Sequence, residues 1–237
     1  MSVIIYESMC KNVKVLEQTR RVIKRLLNDA LVAKNEMQLK ALTYEFALLY
    51  AAYTEAYFLK MLHSENCFPS DDYIYAILFF DTKKQQERSY EQQWEKCISE
   101  GFKVITNNNN LGEIANKKKI VTELVKKYII ENREIRNKIA HGQWEVALNS
   151  KTTAVKNDMT NEINKLDFVK IDLCFDLYKK IINIVLMLLQ SPYRGHYNNF
   201  YKDVEEVNLI AGKIEASSID TKYKLISWKK DDENRRK

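Results

Sequence analysis

At 237 residues, 46% of them hydrophobic, the chain is long enough to bury a sizeable core without disulfide or metal staples. Five glycines and two prolines are too few to punctuate many short strands, which excludes an all-β fold and predicts an all-α one. The formal charge of +6, from 38 basic and 32 acidic side chains, is a mild excess compatible with a nucleic-acid partner but not a demand for one.

The opening MSVIIYESMCK has no charged region followed by a long apolar run, so no signal peptide is expected. Cys10, Cys67, Cys97 and Cys174 form no Cys-x-x-Cys pair and lie in or beside apolar runs, as reduced thiols of a cytoplasmic protein do. Residues 10–38 are amphipathic, with Val13, Leu16, Val22, Leu26 and Leu31 close to helical spacing. Residues 41–63 are apolar around most of the circumference, as in a central helix packed on several sides. Ser70, Asp71 and Asp72 give a cap signal for a long helix reaching Gly101, with a break near Asp81. TNNNNLG (106–112) then reads as a polar loop.

The next helix, about 113–141, sets Val121, Leu124, Tyr128, Ile135 and Ile139 on one face and stops at Gly142. Residues 143–149 alternate with period two, and 152–157 return as their hairpin partner across Ser150 and Lys151. A strong helix over 167–190 ends before Pro192, and a weaker one covers 198–213. The final SWKKDDENRRK mixes both signs and reads as a frayed, solvated end. The most apolar run, IINIVLMLL (181–189), is too short to span a bilayer, so a soluble protein without a membrane partner is expected. No internal repeat is visible. The organisation expected is one helical domain over 1–237, with an N-terminal helical extension (1–40), a bundle core (41–190) and a C-terminal helix with a charged tail (191–237).

The chemistry concentrates in ENREIRNKIAHGQW, residues 131–144. At about 100° per residue, Asn137 and His141 share a face opposite Ile135 and Ile139. Arg136 leaves in a third direction, on a side chain long enough to approach His141. The unpaired carbonyls of a helix C-terminus favour a protonated imidazole. A histidine able to titrate near neutrality beside a fixed cation suits phosphodiester cleavage, which needs proton transfer at oxygen and charge stabilisation on phosphate.

The string RNKIAHGQW resembles the HEPN (higher eukaryotes and prokaryotes nucleotide-binding) family, whose hallmark is an arginine followed by a polar residue and, a few residues on, a histidine; Arg136, Asn137 and His141 match it. The resemblance implies a helical bundle with a small β-hairpin after the motif helix. It also implies a homodimer in which two Arg-x4-His motifs face one cleft, and metal-independent endoribonuclease activity in a toxin or antiphage defence effector. His141 would then be general acid or base, Arg136 would bind the scissile phosphate, and Asn137 would orient one of them. An antitoxin or other regulatory protein would be a partner. A toxin subgroup carries a tyrosine two residues after the histidine that a nucleotidyltransferase modifies; Gln143 stands there, so that control is not expected. Other members bind nucleotides or scaffold partners, which leaves open a catalytically silent HEPN domain that binds nucleotide or RNA, or a structural helical dimer.

Further candidates have bland readings beside the functional ones. Glu55 is a carboxylate in an apolar helix, either aimed at the motif or paired locally. His63 reads as the cap of that helix. His196, near Arg194 and several tyrosines, suits either base stacking or an ordinary aromatic turn. NKKKI (116–120) reads as a solvated face, with phosphate contact as its functional alternative, and Trp144 as the residue packing the hairpin on the motif helix. No phosphate-binding glycine loop, metal-ligand cluster or nucleophile elbow is present in the sequence, so no cofactor or metal is expected. A nuclease without metal ligands relies on the 2′-hydroxyl of its substrate, which points to RNA.

Overall fold

The amphipathic first segment forms α1 (Val3–Val32), which stops where Lys34 enters the left-handed region at φ +54°. Asn35 restarts the chain: its side-chain oxygen accepts the Gln38 N–H at 3.1 Å and caps α2 (Glu36–Leu62), the apolar helix expected over 41–63. The structure is a computed structural model and describes residues 3–81, 84–103, 111–190 and 196–235. Most of the expected polar loop at 106–112 lies outside the described residues.

The break expected near Asp81 is a hairpin. Ser70 caps α3 (Asp71–Ile74) through the Tyr73 N–H at 3.1 Å, and a π-helical turn, Tyr75–Phe79, leads into β1 (Phe80–Asp81). β1 pairs antiparallel with β2 (Gln86–Glu87), and the Arg88 guanidinium closes the turn on the Asp81 carboxylate at 2.9 Å and the Ile77 carbonyl at 3.3 Å. A capping box then opens α4 (Tyr90–Lys103): Ser89 Oγ accepts the Gln92 N–H at 3.3 Å while Gln92 Oε1 accepts the Ser89 N–H at 2.9 Å.

The helix expected over 113–141 is divided into α5 (Leu111–Val125), a π-helical turn (Lys126–Ile130) and α6 (Glu131–Ala140). A π turn inserts one residue and shifts the phase of the downstream helix by about 100°. The single apolar face is interrupted accordingly: Val121 and Leu124 are buried, Ile129 rather than Tyr128 is buried next, and beyond the turn Ile139 is buried while Ile135 is half-buried.

The expected hairpin at 143–157 shrinks to one antiparallel bridge, Leu148 with Val155, flanked by Asn149 N–H to the Ala154 carbonyl (2.9 Å) and Lys156 N–H to the Ala147 carbonyl (2.8 Å). Side chains take the backbone groups a longer ladder needs. Thr160 Oγ1 accepts the Ala147 N–H at 2.9 Å, Gln143 Oε1 accepts the Leu148 N–H at 2.7 Å, and Lys138 Nζ donates to the Leu148 carbonyl. A short helix the sequence did not announce, α7 (Asn157–Asn164), comes next. Then come α8 (Phe168–Gln190), α9 (His196–Ala216) and α10 (Ile219–Arg235). The tail expected to fray is thus helical as far as Arg235.

The chain divides into two compact units, one of Met1–Lys14, Thr54–Asn132 and Leu177–Leu209, the other of Val15–Tyr53, Arg133–Asp176 and Ile210–Lys237. The first packs Phe58 against Trp94 (ring centroids 4.5 Å apart) and Trp94 edge-on to Tyr178 (6.5 Å), whose hydroxyl donates to the Thr54 carbonyl at 2.5 Å. Gly101 lets α4 approach α8: a Cβ there would sit 3.3 Å from Leu188 Cβ. The second unit centres on Phe175, ringed by Phe46, Tyr50 and Tyr53 at 5.4, 5.0 and 5.0 Å, with the Arg20 guanidinium 4.6 Å from its centroid. Burial alone would lower the pKa of Arg20, but its bonds to Asp176 (2.9 Å) and Asp172 (2.8 Å) outweigh that and raise it. Asp167 caps α8 through the Val169 N–H at 2.7 Å and, with its other oxygen, accepts the first N–H of α10, from Ile219, at 3.0 Å. Among the described residues no helix is long and apolar enough to cross a membrane.

Candidate functional site at the C-terminus of the motif helix

Arg136, Asn137 and His141 all belong to the second unit, on α6 and the residue that ends it. The ending is a Schellman turn: Gln143 N–H reaches the Lys138 carbonyl at 3.0 Å, Gly142 N–H reaches the Ile139 carbonyl at 3.0 Å, and Gly142 takes φ +75°. His141 occupies the C-cap, with its own N–H on the Asn137 carbonyl at 3.1 Å. Glycine follows the histidine because a left-handed residue is required there. A side chain at Gly142 would meet nothing within 4 Å, so the requirement is one of backbone conformation and not of space.

The faces fall as helical geometry demands. Asn137 and His141 are exposed, Ile139 is 1% exposed, and Arg136 is half-buried with its Nε shielded from solvent. The last turns of the helix therefore present an amide and an imidazole to solvent and carry a partly desolvated guanidinium. A guanidinium can hold a phosphate through paired N–H donors, and an exposed imidazole can exchange protons with a bound substrate.

The segment after the turn is braced by three bonds, two of them to the helix. Trp144 Nε1 donates to the Ile139 carbonyl at 2.9 Å, so that oxygen accepts from both Trp144 and Gly142. Gln143 Oε1 holds the Leu148 N–H at 2.7 Å, and Lys138 Nζ holds the Leu148 carbonyl. Trp144 also packs edge-on against Tyr44 at 5.1 Å and 63°, and the neighbouring Glu145 meets Lys40 at 2.5 Å. That exposed ion pair adds little to stability, but it ties the start of α2 to the turn. Burial raises the Tyr44 phenol above its usual pKa. Trp144 and Gln143 thus support the motif mechanically, and only for Trp144 did the pattern of the sequence suggest it.

The other candidates resolve individually. Glu55 is half-buried on α2 in the first unit. His63 follows the last residue of α2 but does not cap it with its ring; Nδ1 faces the Asp71 carboxylate at 3.0 Å. His196 begins α9, while its side chain and all of Arg194 lie outside the described residues. The NKKKI segment is not the uniformly solvated face expected of it. Lys117 is buried, pairs with Glu113 at 2.9 Å, and lies 5.4 and 5.1 Å from the ring centroids of Phe200 and Tyr201. The i, i+4 spacing of Glu113 and Lys117 was legible in the sequence; the aromatic pair from α9 was not.

No group of three or more His, Cys, Asp or Glu side chains is gathered as a metal site among the described residues. The four cysteines are unpaired, and burial pushes Cys67 and Cys174 up to about 12 and Cys97 higher still. No family model matches the chain, and neither a curated protein nor a solved structure is significantly similar to it.

Proposed function

We propose that the chain is a metal-independent endoribonuclease of HEPN type, acting as a homodimer in the cytoplasm as a toxin or antiphage effector under control of a partner protein. The observation that supports this most is that exposed His141 and Asn137 and half-buried Arg136 all lie in the last turns of one helix, which a Schellman turn closes. Each chain supplies one arginine and one histidine of this motif, and a second copy would complete a cleft with two of each. His141 takes the proton from the 2′-hydroxyl or delivers one to the leaving 5′-oxygen. Arg136 stabilises the charge developing on the pentacovalent phosphorus, and Asn137 orients one of the two.

The expected products are a 2′,3′-cyclic phosphate and a 5′-hydroxyl, formed equally well in EDTA. An oligonucleotide with deoxyribose at the scissile position should bind and resist cleavage, since it keeps the phosphate and lacks the nucleophile. Cleavage of that oligonucleotide, or loss of activity on chelation, would sink the mechanism.

A second reading has its own observation. Gly142, Gln143 and Trp144 are fully engaged in closing the helix, a structural task that needs no catalysis. On that reading the domain is a silent RNA- or nucleotide-binding module or a structural dimer. Undiminished RNA binding without cleavage by the purified protein would select it.

A further inference from the structure

The first unit carries a half-open cavity of about 900 Å³, lined by the first turn of α1, the connection between α2 and α3 and the end of α8. His63 is its anchored polar group. Its Nδ1 lies 3.0 Å from Asp71 Oδ1, and Asp71 is not on the cavity wall. The Nδ1–H therefore donates away from the cavity, and Nε2 is the ring nitrogen left to meet a ligand. Gln190 is anchored similarly: its Nε2 donates to the Glu65 carbonyl at 2.8 Å, which leaves Oε1 as an acceptor. The Ser64 hydroxyl is already committed to the Lys60 carbonyl at 3.0 Å.

The wall thus offers acceptors in Gln190 Oε1 and the Glu65 carboxylate. Glu65 is exposed at its margin, Tyr6 and Phe68 add aromatic surface, and no lysine or arginine among the described residues lines it. Among the described residues, a phosphate or carboxylate would find no lysine or arginine there. An ammonium group would find acceptors for its N–H donors, a carboxylate to balance its charge and aromatic faces that attract cations.

We propose that this cavity binds an organic ammonium ion, a small primary amine. The test is titration of the full chain at pH 8 with 1,4-diaminobutane, with the uncharged 1,4-butanediol and with inorganic phosphate, followed by calorimetry and by NMR. One-site saturable binding of the diamine is expected, with the diol at least ten-fold weaker and phosphate not bound. Glu65→Gln and His63→Gln should each weaken the diamine about ten-fold; if His63→Gln disturbs the fold, the exposed Glu65 decides alone. Equal binding of diol and diamine, preference for phosphate, no saturable binding, or unchanged affinity in the Glu65 variant would each overturn the proposal. Binding is read directly, so a chain without ribonuclease activity still answers the question.

Discussion

His141 sits where backbone and side chain have separable roles. Its N–H completes the last turn of α6 through the Asn137 carbonyl, and any residue but proline provides that bond. Its exposed ring is the part that chemistry can use. His141→Ala should therefore shift the melting temperature by no more than a few degrees while lowering kcat/KM on RNA by about 10²-fold or more, because a proton-transfer contact is lost from the transition state. Arg136→Ala should cause a comparable kinetic loss, and Asn137→Ala a smaller one. Steady-state cleavage with parallel thermal melts reads both quantities, and an unfolded His141→Ala chain would favour the structural reading.

At the scale of elements, the end of the motif helix is stabilised by conformation and hydrogen bonding more than by area. Gly142→Ala should cost about 1–2 kcal/mol, since φ +75° penalises any Cβ even in open space. Trp144→Phe keeps most of the ring packing on Tyr44 but removes the donor to the Ile139 carbonyl, and should cost about 1 kcal/mol. Ile139→Ala, at a position only 1% exposed, should cost about 2–5 kcal/mol, and Ile135→Ala distinctly less because its side chain is half-buried. Urea unfolding of the four variants gives the ranking directly. Equal losses at 135 and 139 would contradict their unequal burial.

At the scale of the whole molecule, two outcomes are expected. The composite-site model requires a homodimer, so sedimentation at micromolar concentration should give twice the chain mass; a strict monomer would end that model. The thiols of Cys67, Cys97 and Cys174 should be inert in the folded chain. With a pKa pushed up to about 12, Cys67 and Cys174 are ionised to roughly one part in 10⁴ at pH 8. Iodoacetamide at that pH should leave both, and buried Cys97, unmodified over a period that fully alkylates the unfolded chain, as mass spectrometry would show. What the sequence determined by itself is what depends on local pattern: the all-α class, the caps at Ser70 and Gly142, the break near Asp81, and the opposed faces of Ile139 and His141. Helical periodicity and turn chemistry act over a few residues and can be read from a string. Tertiary structure alone decided that Lys117 is buried between Phe200 and Tyr201, that His63 turns to Asp71 instead of capping its helix, and that side chains of Lys138, Gln143 and Thr160 replace a hairpin ladder. Each of those outcomes depends on which of several possible partners the fold brings within about 3 to 6 Å, a competition that local spacing does not encode.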